Sequence, residues 1–229
     1  MLLGTGDALA GEVVTRWTFN GASGTTSPSE GSGTASLVGG TTQTFPVGSP
    51  TDKFAEDSAQ NRAWSIGTFP ANSTGSGTRG AMWQVATPAN AGITITWCQR
   101  HSASSSRWTK FEYSIDGTTF TSSGIPNDGL LEATAGADQW TNDRSVDLSK
   151  VAGVAGNPNF AFRIVTVFAP GTQIYAPTGP PSNYATIGTV RFDLVTVSAT
   201  HVPGPGTASL LGAAAMVVRR RARPQPKCP

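Results

Sequence analysis

Runs in which apolar and polar residues alternate decide most of what this chain can become. Val13, Thr15, Trp17 and Phe19 fall on one side of an extended backbone, as do Ala81, Trp83 and Val85. Ile93, Ile95 and Trp97 oppose Thr94, Thr96 and Cys98, and Phe111, Tyr113 and Ile115 oppose Glu112, Ser114 and Asp116. Phe160, Phe162 and Ile164 repeat the pattern, and Val190, Phe192 and Leu194 repeat it once more against Arg191 and Asp193. A period of two is the mark of a strand with one buried face. Segments rich in Gly, Ser, Thr and Pro, at 21–34, 70–80 and 169–183, separate the runs. Before Thr207 no window carries a sustained 3.6-residue apolar stripe, apart from a short helical turn expected around Asp52 to Gln60. The fold class that follows is all-β, a two-sheet antiparallel β-sandwich, jelly-roll-like, over residues 11–201.

Composition places such a domain outside the cell. Ser and Thr make up 52 of 229 residues, and charged residues only 13%, about half the globular norm of ~25%. Six Trp and ten Phe supply the apolar surface that a disordered chain lacks. The formal charge of +2 misleads, because Arg219, Arg220, Arg221, Arg223 and Lys227 are five of the sixteen basic residues. Residues 1–218 carry a net charge of −3. The folded part therefore offers no basic stripe, and nucleic acid is not an expected partner.

Catalytic patterns are thin. His101 and His201 are the two histidines; a Ser/His/Asp set would rest on His101 with Ser102 or Ser104 to Ser106, and no Gly-x-Ser-x-Gly surrounds any serine. A glycosidase needs two carboxyl groups across a cleft. Glu112, with Glu132 or Asp193, is the pair the strands offer, though a solvated outer face explains Glu112 equally well. No His-x-His, Cys-x-x-Cys or Asp-x-Asp-x-Asp-Gly run supports zinc or an EF-hand, so no metal ligands and no cofactor are assigned. A structural calcium held by scattered carboxylates and carbonyls leaves no linear signature and stays open. Cys98, in a strand run, reads as a buried inert thiol, and Cys228 lies in the tail. Asp116-Gly117 reads as a turn, since the spacing to Phe120 fails the Asp-box register.

Binding is the remaining class. Trp17, Trp83 and Trp97 sit in alternating runs and belong to the core. Trp108 follows the serine stretch and Arg107, and Trp140 stands between Gln139 and Thr141, both in expected loops where burial is not required. Flat rings of this kind stack on sugar faces. Trp108, Trp140 and Arg107 are the candidate ligand-binding residues; the alternative is an aromatic that caps the sandwich edge.

Both ends speak of export. Val202-Pro203-Gly204-Pro205-Gly206 precedes an uncharged run from Thr207 to Val218 and then Arg219-Arg220-Arg221-Ala222-Arg223. As a short hydrophobic helix the twelve-residue run is about 18 Å long, against about 30 Å of bilayer hydrocarbon. The arginines would hold its end on the cytoplasmic side, leaving the domain outside. This arrangement over 202–223 resembles the PEP-CTERM sorting signal of exported bacterial proteins, with Gly204 where the usual form has Glu. The resemblance implies a sorting signal carried by Val202, Pro203, Pro205, Arg219, Arg220, Arg221 and Arg223. It also implies recognition by an exosortase, a membrane peptidase that cuts near the Pro-x-Pro, and a cytoplasmic tail at 224–229. Asp7-Ala8-Leu9-Ala10 resembles the end of a signal peptide, so 1–10 is expected to be its remnant, with translation starting upstream.

Ile95 to Ser102, Phe111 to Phe120 and Arg191 to Val197 are also similar to strands of the β-sandwich modules in such proteins. The expectation is an exported, non-catalytic protein of the cell surface or extracellular matrix, transiently membrane-anchored and associating with polysaccharide. A small secreted glycoside hydrolase or lyase, and a purely structural matrix protein, are the competing readings.

Overall fold

A computed structural model describes residues 11–89 and 91–201. The expected signal remnant at 1–10, the sorting signal, its hydrophobic helix, the tail and Cys228 lie outside the described residues. The strands are β1 (Glu12–Trp17), β2 (Glu30–Gly31), β3 (Thr34–Val38), β4 (Thr42–Thr44), β5 (Trp64–Gly67) and β6 (Gly80–Gln84). They continue with β7 (Ala91–His101), β8 (Trp108–Ser114), β9 (Leu130–Glu132), β10 (Trp140–Asp147), β11 (Ala161–Thr166) and β12 (Val190–His201). Sheet A runs β10-β7-β12-β1-β2, with β5 on β12 and β4 on β5; sheet B runs β3-β6-β11-β8-β9. Every pairing is antiparallel. β12 is long enough to serve two neighbours on one edge: Val190 to Phe192 pair with β5, and Val195 to Ala199 pair with β1.

The alternating runs do what their period requires. Trp17, Trp83, Ile93, Ile95, Trp97, Phe111, Phe162, Ile164 and Phe192 all turn inward and are at most 2% exposed. Trp83 sits at the centre, stacked on Phe162 with centroids 5.1 Å apart and meeting Trp64 and Phe192 edge-on. Flat and edge-to-face contacts of this sort add to the gain from burial. Inside the core one polar chain is fully paired. The Trp97 indole donates to Gln99 Oε1 at 3.0 Å, and Gln99 Nε2 lies 2.9 Å from His101 Nε2. His101 Nδ1 lies 2.8 Å from the Ser106 carbonyl. These partners set the tautomer: Nδ1 carries the proton and Nε2 accepts.

Several expectations need correction. Trp108 and Trp140 are not loop residues. Trp108 opens β8 opposite Glu132, and Trp140 opens β10 opposite Arg100, because the preceding loops are tied down just before them by Arg107 N to Ala176 O and Asp138 N to His101 O. His101 is the buried end of β7 rather than a polar loop residue. Ile115 leaves the Phe111/Tyr113 face and is 49% exposed, since Asp116 Oδ1 draws the amides of Thr118 and Thr119 into a turn directly after Ser114. The helical turn near Asp52 to Gln60 is a single turn in which Gln60 and Asn61 donate to the Asp57 carbonyl. Leu194 departs from alternation and Asp193 is buried, with consequences for the site.

Candidate functional site

The outward face of sheet A is polar where the pairing predicts. Thr94 and Thr96 of β7 oppose Ser198 and Thr196 of β12, and Thr196 in turn opposes Arg16 of β1. Three strands break register here: β1 between Val13 and Thr15, β10 between Thr141 and Arg144, and β12 between Asp193 and Thr196. Within the last two, Asp143 and Leu194 adopt φ of 58° and 52°, a region costly for residues with a β-carbon. Bulges re-aim side chains and cluster near binding sites. Here they turn Leu194 and Asp143 out of the ladder to line a groove of about 540 Å³ with Val13, Arg16, Thr96 and Thr196.

One wall of the groove is a strap of chain across the sheet. Its anchor is Asp193, whose Oδ2 accepts the Ser49 amide at 2.6 Å while Oδ1 accepts its own neighbour's, from Leu194, at 2.7 Å. Ser49 Oγ and Thr51 Oγ1 donate to Asn142 Oδ1, and Thr51 Oγ1 lies 3.9 Å from Cys98 Sγ. Glycine is required in the strap at residue 48. A β-carbon there would stand 2.0 Å from Asn61 Oδ1, 2.6 Å from Asp193 Oδ2 and 2.8 Å from the Arg62 carbonyl. The strap explains why Asp193, expected to face solvent, is fully buried. Burial pushes its carboxyl up to about 8, with the charge of Asp52 adding to the rise. Burial beneath the strap likewise raises the Cys98 thiol, which is free and 4% exposed.

The strap ends in an aromatic ring that sequence reasoning passed over. Phe54 is 55% exposed and lines the groove. Asp52 fixes it, accepting from the Phe54 amide at 2.7 Å through Oδ1 and from Asn20 Nδ2 at 2.7 Å through Oδ2. The Arg16 guanidinium lies over the ring at 4.2 Å from its centroid and bridges to Glu30 at 2.8 Å. A signal was present: Phe54 stands among Asp52, Lys53 and Glu56, outside any alternating run.

The candidates named from sequence divide between the two sheets. Trp140 is half-buried on the outward face of sheet A, beyond the strap, in a row with Arg100, Arg191, Ser65 and Thr44. Trp108 is half-buried on the outward face of sheet B, and Arg107 beside it donates to the Thr178 carbonyl at 3.3 Å. The carboxylates do not converge. Glu112 is bound to Arg163 at 2.7 Å on sheet B, whereas Asp193 is buried in sheet A. Glu132 lies four residues along the β8 register from Glu112, about 13 Å at ~3.3 Å per residue, beyond the ~9.5 Å an inverting pair spans. His101 is 2% exposed and its pKa is lowered to about 4 by burial; no substrate reaches it. Among the described residues no group of three or more His, Cys, Asp or Glu could hold a metal ion.

A larger cavity, about 660 Å³, opens between the β8–β9 connection and the segment after β10. Its walls mix apolar residues, Ile125, Leu130, Leu131, Val146 and Val151, with Asn127, Ser145 and Lys150, and the hydroxyl of its one aromatic residue, Tyr113, is spent on the Ser123 carbonyl. It lacks the exposed ring of the sheet A groove, since Tyr113 is buried.

No protein-family model matches the chain, and no curated protein matches it. Solved structures give partial likenesses. The CBM22-1 xylan-binding domain of Paenibacillus barcinonensis Xyn10C has a TM-score of 0.46 at 10% identity over 85% of this chain and 98% of that one. The CBM22-1 and GH10 modules of Clostridium thermocellum xylanase 10B give 0.47 at 13% identity over 87% and 30%. The CBM6cm-2 module of Cellvibrio mixtus lichenase 5A gives 0.36 at 14% identity over 82% and 99%. At such scores the likenesses carry no argument about this chain's ligand.

Proposed function

We propose that this chain is an exported, non-catalytic, jelly-roll-like β-sandwich that associates with polysaccharide along the outward face of sheet A. The observation that carries the reading is Phe54, a solvent-facing ring backed by Arg16 on a main chain that Asp52 pins, beside a hydroxyl-lined groove. A ring fixed before binding loses little entropy when a sugar stacks on it. The Thr96 hydroxyl and the amide N–H groups of Asn142 are suited to sugar hydroxyls. Trp140 extends the same face beyond the strap. Trp108 and Arg107 lie on the opposite sheet, out of reach of a glycan on the first. The enzyme reading has no pair of converging carboxylates to support it among those the sequence offered. Export through an exosortase-type peptidase remains part of the proposal and rests on the motif at 202–223 alone.

The test is retention of the protein on a panel of immobilised glycans. Phe54→Ala should weaken binding about tenfold, the loss of one good contact of ~1.4 kcal/mol, while Phe54→Tyr keeps it and Trp108→Ala leaves it unchanged. Phe54→Ala should lower the melting temperature only slightly, because the ring is half in solvent and loses one cation–π contact of about 0.5–1 kcal/mol. Unaltered binding in Phe54→Ala, or no retention on any glycan, would overturn the assignment.

A further inference from the structure

Beyond the strap, one straight row crosses sheet A. Trp140 on β10 opposes Arg100 on β7, Arg100 opposes Arg191 on β12, and Arg191 opposes Ser65 on β5. Residues directly opposite in an antiparallel ladder share a face about 5 Å apart. Two guanidinium groups therefore stand side by side with an indole next to them. Only one is neutralised. Arg100 donates through Nε to the Asp138 carbonyl and through Nη2 to Asp138 Oδ1, both at 2.9 Å. Among the described residues Arg191 has no carboxylate within ion-pair distance and no hydrogen-bond partner for its guanidinium. It is half-buried all the same. Its pKa is pushed down, first by that burial and then by the neighbouring charge of Arg100, with the more distant Asp138 carboxylate opposing in part. A half-covered cation beside a like charge is an arrangement that a bound anion favours.

We infer that the polysaccharide bound on this face is acidic, with a carboxylate or sulfate group seated on Arg191 and a sugar ring on Trp140. This rests on the polysaccharide reading above and names the class of its ligand. Two strand spacings separate Trp140 from Arg191, about 10 Å, a reach suited to neighbouring sugar units rather than a single one. The guanidinium fork takes a planar carboxylate through two parallel hydrogen bonds. Beyond Arg191 the row passes the buried Ser65 and ends at Thr44, whose hydroxyl is exposed. A nucleic acid would need cations repeated along a stripe, and this row carries one unpaired charge.

The experiment compares polygalacturonate, the same polymer after reduction of its carboxyl groups, dextran sulfate and duplex DNA, titrated against the protein and against Arg191→Gln, Arg191→Lys and Trp140→Ala. The parent protein should bind polygalacturonate at least about tenfold tighter than the reduced polymer, the size of one charge-assisted contact. Arg191→Gln should erase that preference while keeping affinity for the reduced polymer, and Arg191→Lys should restore part of it. Trp140→Ala should weaken both polymers alike. Dextran sulfate bound as tightly as polygalacturonate would identify the anion as any sulfate or carboxylate, and weaker binding would identify it as the carboxylate. Equal affinity for the acidic and reduced polymers overturns the inference and leaves the polysaccharide reading standing. DNA bound as tightly, with the same loss in Arg191→Gln, overturns it in favour of a general anion site. Binding to neither form of the polymer, nor to any glycan of the wider panel, overturns both. Because Arg191 has no partner to lose, unchanged melting temperatures in its variants separate a binding defect from a folding one.

Discussion

Asp193→Asn tests the strap through its effect on the pH dependence of stability. The carboxyl is fully buried and its pKa stands at about 8 instead of 3.8. Between those values the folded protein holds a proton that the unfolded chain has released, so stability falls as pH rises, by about 1.4 kcal/mol per unit. His101 works in the opposite sense. Its pKa of about 4 in the folded protein lies below the ordinary 6.5; between the two the unfolded chain holds the extra proton, and stability rises with pH. From about 4 to 6.5 the slopes cancel. From 6.5 to about 8 Asp193 acts alone and removes about 2 kcal/mol.

Urea midpoints measured at intervals from pH 6.5 to 8 should therefore decline in the parent protein and stay level in Asp193→Asn, which cannot ionise. The absolute stability of the variant is not the readout. Both carboxyl oxygens accept a backbone N–H, from Ser49 and Leu194, so an amide leaves one N–H facing an NH2 group and costs about 1–3 kcal/mol at every pH. Parallel pH curves for the two proteins would refute the reasoning, for they would mean that Asp193 is not neutral beneath the strap.

The remaining expectations concern packing. Trp83→Ala should cost about 3–5 kcal/mol, as for other buried large aromatics, because the ring contacts Trp64, Phe162 and Phe192 at once; chemical denaturation measures it. Gly48→Ala should destabilise by about 1–3 kcal/mol, the range for overpacking, since the added methyl meets a backbone carbonyl and two buried oxygens that cannot all retreat. The loss should persist in a background carrying Phe54→Ala, because the collision is at the strap's anchor and not at its tip.

What can be read from the sequence is whatever depends on neighbours two residues apart. Alternation alone places Trp17, Trp83, Trp97, Phe111 and Phe162 inside, and with them the all-β, two-sheet class. What cannot be read depends on contacts made across the chain. Nothing local marks Pro46 to Phe54 as a strap, since Pro46, Gly48 and Pro50 interrupt any pattern. Its anchor, Asp193, is 144 residues away from Ser49. The same distance is why alternation sets Asp193 on a solvated face as a candidate acid. Trp108 and Trp140 read as loop residues because polar residues precede them, although a strand can begin at any residue whose amide and carbonyl find a ladder. Phe54 is within reach of the reasoning applied to Trp108, as an aromatic among charged residues with no periodic reason to be buried.

The groove and the strap are two results of one irregularity. Had β12 kept its register through Asp193, Leu194 and Val195, Leu194 would have faced the core with Phe192, as alternation predicts. The bulge instead holds Leu194 at a positive φ and sends its side chain to the outer surface, while the next residue, Val195, resumes the core at 1% exposure. The residue before the bulge is Asp193, placed to capture a backbone amide from a distant loop. The local strain, on the order of 1–3 kcal/mol at each such residue, is thus tied to an anchor and a groove wall that a regular strand could not provide. The β10 and β1 register breaks lie beside the same groove, so all three strands are irregular there. A flat polar sheet would present only hydroxyls; an irregular one presents a trough with a ring at its lip, a shape able to hold an extended chain.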